Sequence, residues 1–502
     1  SFFQNWKSVF ARGLRSPLQI CFLKILNLQF RKISVLDAVN TYTNRSHTCG
    51  ELRSSDVGKE VTVYGWLEYQ RLDKFGVLRD GYGSVQFLVP DEVSKIAAVM
   101  HLTFILKSCA STLALNKYIN FMKTMGTGDI EIIVQDLDVL NVAKANLPFH
   151  IREHAKARES LRMKYRYLDL RFPKLQHNLR LRSKVIMKMR EFLINECAFI
   201  EVETPTLFKK TPGGAREFVV PTHNKNQYYA LVQSPQQLKQ LLMVGAIDRY
   251  FQVARCYRDE GSRKIDNQNL LRQFTFLFFY LEFSFLEQEH IFPLIENLLV
   301  SSWPADLTPL SVPFPRMKYT EAMERYGTDK PDVSFESEIC SFHRFTLSVT
   351  FLQLLRRLIH SLFVFHQLLL GQIRLEFAES QFHFLWITDF PLFTKDEATG
   401  QIEASHHPFT APHPDDLPLL LTDPLKVRGQ HYDLVLNGAE IGGGSIRIHN
   451  HRLQRQVLEQ ILNIPTSSLE HLLDALHCGC PPHGGIALGL HNFLMLRSFC
   501  FV

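Results

Sequence analysis

Arg249-Tyr-Phe-Gln-Val-Ala-Arg-Cys-Tyr-Arg-Asp-Glu260 is the middle one of three short stretches whose order decides the fold. Phe199-Ile-Glu-Val-Glu-Thr-Pro205 precedes it and Gly484-Gly-Ile-Ala-Leu-Gly-Leu490 follows it. Taken alone, each chemical feature reads blandly. A charged run such as Arg258–Glu260 is usually a solvated surface, a glycine run such as Gly442–Gly444 is usually a loop, and adjacent histidines such as His406 and His407 are usually polar surface. The surroundings carry more. Val185, Met189, Phe192 and Leu193 recur at i, i+4, i+7 and i+8, which predicts one face of an amphipathic helix. Ile200–Glu203 then alternates as a strand and stops at Pro205. A βα-rich segment runs on to about Trp303, the stretch from Pro304 to Phe377 shows no clear period, and strand signals return at Phe384–Ile387.

Outward toward the N-terminus, Val61–Val63, Gly65–Trp66, Val77–Leu78, Val85–Phe87 and Ile130–Val134 form short alternating runs with Asp80-Gly-Tyr-Gly83 between them. Period-two alternation broken by glycine predicts a β-barrel of about five strands, the size of an OB-fold. From Ile151 to Arg182 the composition turns basic, with Arg152, Lys156, Arg158, Arg162, Lys164, Arg166 and Arg171, and reads as a hinge.

With 502 residues and 46% hydrophobic side chains, the chain can bury a large core and is expected to form at least two domains. The first 36 residues hold Lys7, Arg12, Arg15, Lys24, Arg31 and Lys32, with no acidic residue before Asp37, which suits a cationic amphipathic targeting segment. Those six account for the formal charge of +6, so the remainder is near neutral and any nucleic-acid surface must be a local patch. Nine scattered cysteines without paired Cys-x-x-Cys spacing argue against a disulfide framework and against zinc. Val349–Leu370 is the longest apolar stretch, but Arg356, Arg357, His360 and His366 interrupt it, so a buried helix is expected rather than a membrane span. Ser498–Val502 is expected to be a truncated end.

The ordered set resembles motifs 1, 2 and 3 of the class II aminoacyl-tRNA synthetases. Tyr165-Arg-Tyr-Leu-Asp-Leu-Arg171 is similar to the entry segment of the subclass that charges Asp, Asn and Lys. Asn437-Gly-Ala-Glu-Ile-Gly-Gly-Gly-Ser-Ile-Arg-Ile448 and His406-His-Pro-Phe-Thr410 resemble the aspartyl members. Thr211-Pro-Gly-Gly-Ala-Arg216 and Gln233-Ser-Pro-Gln-Gln-Leu-Lys-Gln240 resemble the bacterial-type mitochondrial branch. The resemblance covers roughly residues 47–305 and 384–490.

It implies an α+β protein. A targeting segment (1–46) and an OB-fold anticodon domain (47–150) are followed by a hinge (151–182). A class II core on an antiparallel sheet flanked by helices (183–303 and 384–502) is split by a remnant of an insertion domain (304–383). It implies a homodimer formed through motif 1, and ligation of L-aspartate to tRNA(Asp) with ATP and Mg2+ in the mitochondrial matrix. By the same resemblance, Arg258, Glu260 and Arg447 are catalytic. Ser234, Gln236, Lys239, Arg258, His406, His407 and Arg447 bind aspartate. Arg258, Asp259, Glu260, Gln273, Phe276, Glu440, Gly489 and Asn492 contact ATP, and Asp433 and Glu440 hold the metal. Arg71, Phe75, Arg79 and Gln86 are expected at the anticodon, with Phe75 stacking on a base.

The chain departs from the family at three of these places. Aligned from Glu282, Phe278 and Tyr280 stand where the family has the glutamine and the aspartate that hold the amino acid. Asn492 stands where it has the arginine over adenine. A lost charge-assisted bond to the substrate ammonium costs roughly 1.5–3 kcal/mol, and a lost preorganised cation on the order of 10²–10³ in rate. These departures keep a second expectation open, a tRNA-binding relative without adenylate chemistry.

Overall fold

The computed structural model describes residues 39–71, 74–90, 104–114, 126–143, 147–149, 151, 157–209, 217–257, 275–334, 382–396 and 400–489. Most of the targeting segment, Thr211–Arg216, Arg258–Asp259–Glu260, Gln273, the apolar stretch Val349–Leu370, Asn492 and the chain end lie outside the described residues. The chain divides into two compact units, 1–176 and 177–502.

In the first unit, strands β1 (Glu60–Arg71), β2 (Phe75–Arg79), β3 (Ser84–Leu88), β4 (Phe104–Ala114) and β5 (Ile130–Val142) close into a barrel of order β1-β2-β3-β5-β4. The alternation in the sequence is the alternation of burial. Val61, Val63, Leu67, Leu78, Val85, Phe87, Ile132 and Val134 point inward and form one apolar cluster. A register shift between Cys109 and Ala110 sets Gln135 out of the ladder, and the inward phase moves from Ile132 and Val134 to Leu137.

Helix α1 (Pro173–Glu191) starts four residues before the boundary and carries the chain into the second unit. It begins at a proline, which is pre-organised for the first helical position, so it starts within the stretch expected as a hinge. Strands β6 (Ile200–Glu201), β7 (Leu207–Phe208), β8 (Val219–Pro221) and β9 (Tyr228–Leu231) lead to helix α2 (Gln236–Val244). The hairpin β10 (Arg249–Tyr257) and β11 (Thr275–Ser284) and helix α3 (Gln288–Ser302) come next. Strand β12 (Arg316–Lys318) and helix α4 (Tyr319–Arg325) then precede β13 (Phe384–Thr388), β14 (Phe393–Lys395), β15 (Ile402–Ala404), β16 (His431–Leu436), β17 (Ala439–Ile446) and β18 (His483–Gly489). Eight of these strands form one sheet of order β12-β13-β16-β17-β18-β11-β10-β6. β12 and α4 belong to the stretch expected as an insertion remnant, yet β12 is an edge strand of this sheet, parallel to β13. Three residues are too few to show a period in sequence.

The sheet has two unlike faces. Phe279, Leu281, Phe283, Trp386, Tyr432, Leu434, Ile486 and Leu488 pack with Phe292, Ile295 and Leu299 of α3 and with Val185 and Met189 of α1 into the largest core. The alternate residues of the same strands face the other way. Across four strands, His431 lies opposite Ser445, Ser445 opposite Gly485 and Gly485 opposite Glu282. One step along, Asp433, Gly443, Ala487 and Tyr280 form a second row. Directly opposed residues in antiparallel strands share a face. This face therefore has a floor of Gly443, Ser445, Gly485 and Ala487, too small to fill it, with larger polar groups at its sides.

Candidate active site

Glu282 is the centre of the polar face. It stands among Phe276, Phe278 and Tyr280, which alternate with the core residues of β11, and its side chain is fully buried. A carboxylate in such a strand requires buried cations. Lys239 of α2 supplies one, with Nζ 2.7 Å from Oε2. Arg447, just past β17, supplies the other, with Nε 3.0 Å from Oε1 and Nη2 3.3 Å from Oε2. Both cations are at most 3% exposed. Burial alone would raise the Glu282 carboxyl, but the Arg447 guanidinium and the Lys239 ammonium overcome it and hold it at about 2. Burial draws Lys239 down to about 8, against the pull of Glu282 and with the push of Arg447.

The third nitrogen of Arg447 donates to Ser445 Oγ and to His407 Nε2, each at 2.5 Å. His407 Nδ1 accepts from the Phe409 amide at 3.2 Å and lies 3.3 Å from Thr410 Oγ1. Burial and then Arg447 push the His407 pKa well below the usual imidazole value, so the ring is neutral. His431 is also buried and held neutral by burial and by His406, whose ring lies 4.2 Å from its own. Neither of its ring nitrogens has a partner among the described residues. Gln236 is buried on the first turn of α2, with Nε2 likewise unpartnered, and Ser234 is half-buried just before it.

Two cations face one carboxylate, so this buried cluster carries one uncompensated positive charge among the described residues. That is the electrostatic condition for taking a second small carboxylate.

Asp433 and Glu440 form a separate group on the same face. Parity along β17 would turn Glu440 away from Gly443, but Ile441 and Gly442 together oppose Leu434, and this bulge brings Glu440 opposite Val435. The side chain of Gly443 is absent where it would collide. A Cβ there would sit 2.6 Å from Asp433 Oδ1 and 3.3 Å from Glu440 Oε1, so the two oxygens share one small space. Asp433 is 2% exposed and its Oδ1 has no partner among the described residues. Among them no group of three or more metal-ligating side chains gathers. Two carboxylates with further positions left open suit magnesium, which keeps waters and takes substrate phosphates as ligands. Lys330 lies 3.0 Å from Glu440 Oε2.

Lys239, Arg447, His407, Gln236 and Ser234 were expected from the sequence, as were Asp433 and Glu440. Glu282, His431 and Lys330 were not. The signal for Glu282 was a lone carboxylate in an aromatic strand. Tyr280 is 3% exposed, with its hydroxyl 3.2 Å from Cys256 Sγ, and so gives this face no anion. Gly489 lies opposite Phe278. Phe276 is opposite Cys256 in register.

On the barrel, Phe75 pairs with Leu88, Val77 with Gln86, and Arg79 with Ser84, so Phe75, Arg79 and Gln86 of the residues expected at the anticodon share one outer face, and Arg71 is paired with Phe75 in register. Arg79 is occupied there by Glu68 at 2.9 Å and by Ser84 Oγ at 3.1 Å, and Gln86 donates to Glu131.

A family profile described as tRNA synthetases class II (D, K and N) matches residues 158–498. The mitochondrial aspartate--tRNA ligase of Rattus norvegicus is 41% identical, over 98% of this chain and 90% of its own length. That of Homo sapiens is also 41% identical, over 99% and 92%. Among solved structures, a putative aspartyl-tRNA synthetase from Leishmania major superposes with a TM-score of 0.66 at 20% identity, covering 91% of this chain and 92% of its own. An asparaginyl-tRNA synthetase from Pyrococcus horikoshii, solved with asparaginyl-adenylate, gives 0.64 at 21%, over 90% and 95%.

Proposed function

The chain belongs to the class II tRNA synthetases of the D, K and N group, and from that premise we propose that it ligates L-aspartate to tRNA(Asp) in mitochondria through aspartyl-adenylate. The relatives named above support the amino acid and the compartment, and we place the enzyme in the matrix. The single observation that carries the specificity is the unbalanced cluster of Lys239, Arg447 and Glu282.

Aspartate binds with its side-chain carboxylate against Lys239 and Arg447, which restores neutrality to the buried group. Glu282 keeps both cations in the pocket in its absence. Neutral His407 accepts from Arg447 and fixes the plane of the guanidinium. Asparagine offers the same shape without the charge, and leaving a buried cation uncompensated costs about 2–5 kcal/mol. Gln236 Nε2 is a free donor for a carboxylate oxygen of the substrate, and Ser234 lies beside it.

Forming the adenylate joins the aspartate α-carboxylate to the α-phosphate of ATP and releases pyrophosphate. This chemistry is mostly positioning and charge stabilisation, so it asks for cations and metal ligands rather than for a general base. Asp433 and Glu440 are the residues to hold Mg2+, which when bound neutralises phosphate charge. Arg258 and Glu260 of motif 2, Phe276 and Gly489 complete the nucleotide side of the site in this reading. A homodimer through motif 1 fits the exposed Ile200 on edge strand β6 and its neighbour Ile194. The barrel face bearing Arg71, Phe75, Arg79 and Gln86 takes the anticodon. For that, Arg79 and Gln86 exchange their internal partners for RNA.

Aspartate-dependent ATP–pyrophosphate exchange tests the proposal. Exchange with aspartate and none with asparagine is expected. Folded protein that exchanges with neither would leave the tRNA-binding reading in its place.

A further inference from the structure

Lys330 lies in Gly327-Thr-Asp-Lys-Pro331, after α4 and far in sequence from every other residue of the site. Its loop is anchored rather than loose. The Lys330 amide donates to Thr328 Oγ1 at 3.2 Å, and the Ser334 amide donates to Asp332 Oδ1 at 2.9 Å. Asp332 abuts the turn between β16 and β17 so closely that a Cβ on Gly438 would meet its own Cβ at 3.2 Å. That turn, Asn437-Gly438, has φ of 47° and 77°, the left-handed pair that a tight hairpin demands.

The anchor delivers the Lys330 ammonium to one side of Glu440. Oε2 faces the lysine at 3.0 Å, while Oε1 faces the Gly443 space shared with Asp433 Oδ1. Glu440 thus stands between a tethered monovalent cation and the cradle for a divalent one. Asp329 is a poor alternative partner, at 3.7 Å from the same ammonium. A cation entering the cradle draws Glu440 toward itself and repels the lysine, and a half-buried ammonium then needs a new anion.

We propose that Lys330 is a tethered counter-cation that holds Glu440 until a divalent ion displaces it, and that it then pairs with the phosphates arriving with that ion. The proposal rests on the reading of Asp433 and Glu440 as cation ligands. Its consequence is a site that resists free metal and accepts metal delivered with nucleotide.

Manganese binding to the full chain, followed by electron paramagnetic resonance without nucleotide, separates the possibilities. Lys330→Gln is expected to bind Mn2+ about tenfold more tightly than the unmodified chain, Lys330→Arg to match it, and Asp433→Asn to abolish binding. With Mn2+ and ATP together, the advantage of Lys330→Gln should vanish. Equal affinity of Lys330→Gln and the unmodified chain, with Asp433→Asn still defective, overturns the proposal and leaves the metal reading standing. Binding that is undetectable in every form, or indifferent to Asp433→Asn, overturns both. A gain of the same size with ATP present makes Lys330 a plain repulsive charge and overturns the exchange. A second measurement needs no variant: acetic anhydride labelling of Lys330, read by peptide mass spectrometry, should rise when Mn2+ is added and fall again with Mn2+ and ATP. Labelling that ignores both also overturns the proposal.

Discussion

The two faces of the eight-stranded sheet are built from the same strands, residue by residue in alternation, yet they solve opposite problems. On the α3 face, Phe279, Leu281, Trp386 and Leu434 fill space, and the one buried carboxylate of α3, Glu296, is satisfied by neutral donors: Trp386 Nε1 at 3.0 Å and the Phe314 amide at 3.2 Å. On the other face, the central floor is nearly bare of side chains, and the buried charges of Lys239, Arg447 and Glu282 answer one another incompletely. A closed face gains from completeness; an open face keeps a deficit that a ligand removes. Substitutions on adjacent residues of one strand should therefore differ in kind.

The largest expected effect is at Glu282. Glu282→Gln leaves Lys239 and Arg447 buried without an anion, which should cost about 3–5 kcal/mol of stability, read by denaturant unfolding of the full chain. Added aspartate should restore part of it, since the substrate supplies the missing charge. A variant as stable as the parent would mean that the cluster is wet and that the deficit carries no energy.

Next come the adjacent glycines, which divide the faces most sharply. Gly443→Ala puts a methyl 2.6 Å from Asp433 Oδ1, and Gly444→Ala puts one 2.2 Å from the Gly485 carbonyl oxygen of the neighbouring strand and 2.6 Å from Tyr432 Cε2 in the core. The first should lower aspartate-dependent exchange by on the order of 10²–10³ with little change in unfolding. The second should lower stability by about 1–3 kcal/mol through overpacking. Equal losses of both properties in both variants would erase the distinction.

How much of this was legible in the sequence follows the same division. Alternation exposed the barrel strands, and the spacing of Val185 and Met189 exposed α1, with Phe192 and Leu193 continuing it into the turn that follows, because each pattern repeats over several residues. The ordered motifs marked Lys239, Arg447, Asp433 and Glu440 without their geometry. Glu282 escaped because its role exists only through two cations from elements far away in sequence. The bulge that turns Glu440 inward escaped because Ile441 carries no mark of being an extra residue. Lys330 sat in a segment too aperiodic to assign, where three-residue β12 also hid.

A smaller effect comes from pH. Lys239 titrates at about 8 in the unliganded site, below its ordinary value because burial disfavours the ammonium. In the proposed pocket aspartate takes the protonated form, so its affinity should be flat below pH 8 and fall toward tenfold per unit above it. The unliganded protein should show the opposite trend. The cost of burying the charged lysine is present at neutral pH and is relieved between about 8 and the unfolded value near 10.4. Calorimetric titration of aspartate across pH 7 to 9.5 checks the first trend, and Lys239→Arg should flatten it.

The smallest effect belongs to the closed face and serves as the control for all the others. Ile486 of β18 lies in the core, between Ala487 and Gly485 of the open floor. Ile486→Val removes one methylene from a packed interior and should cost about 0.5–1.5 kcal/mol, seen as a lower denaturant midpoint at unchanged slope. The KM for aspartate should not move, because the lost volume faces α3 and the strand register that sets Gly485 opposite Glu282 rests on backbone hydrogen bonds. A shifted KM would mean that the strands transmit packing strain from one face to the other. The two faces would then be one mechanical unit, and the pocket would depend on the core for more than its position.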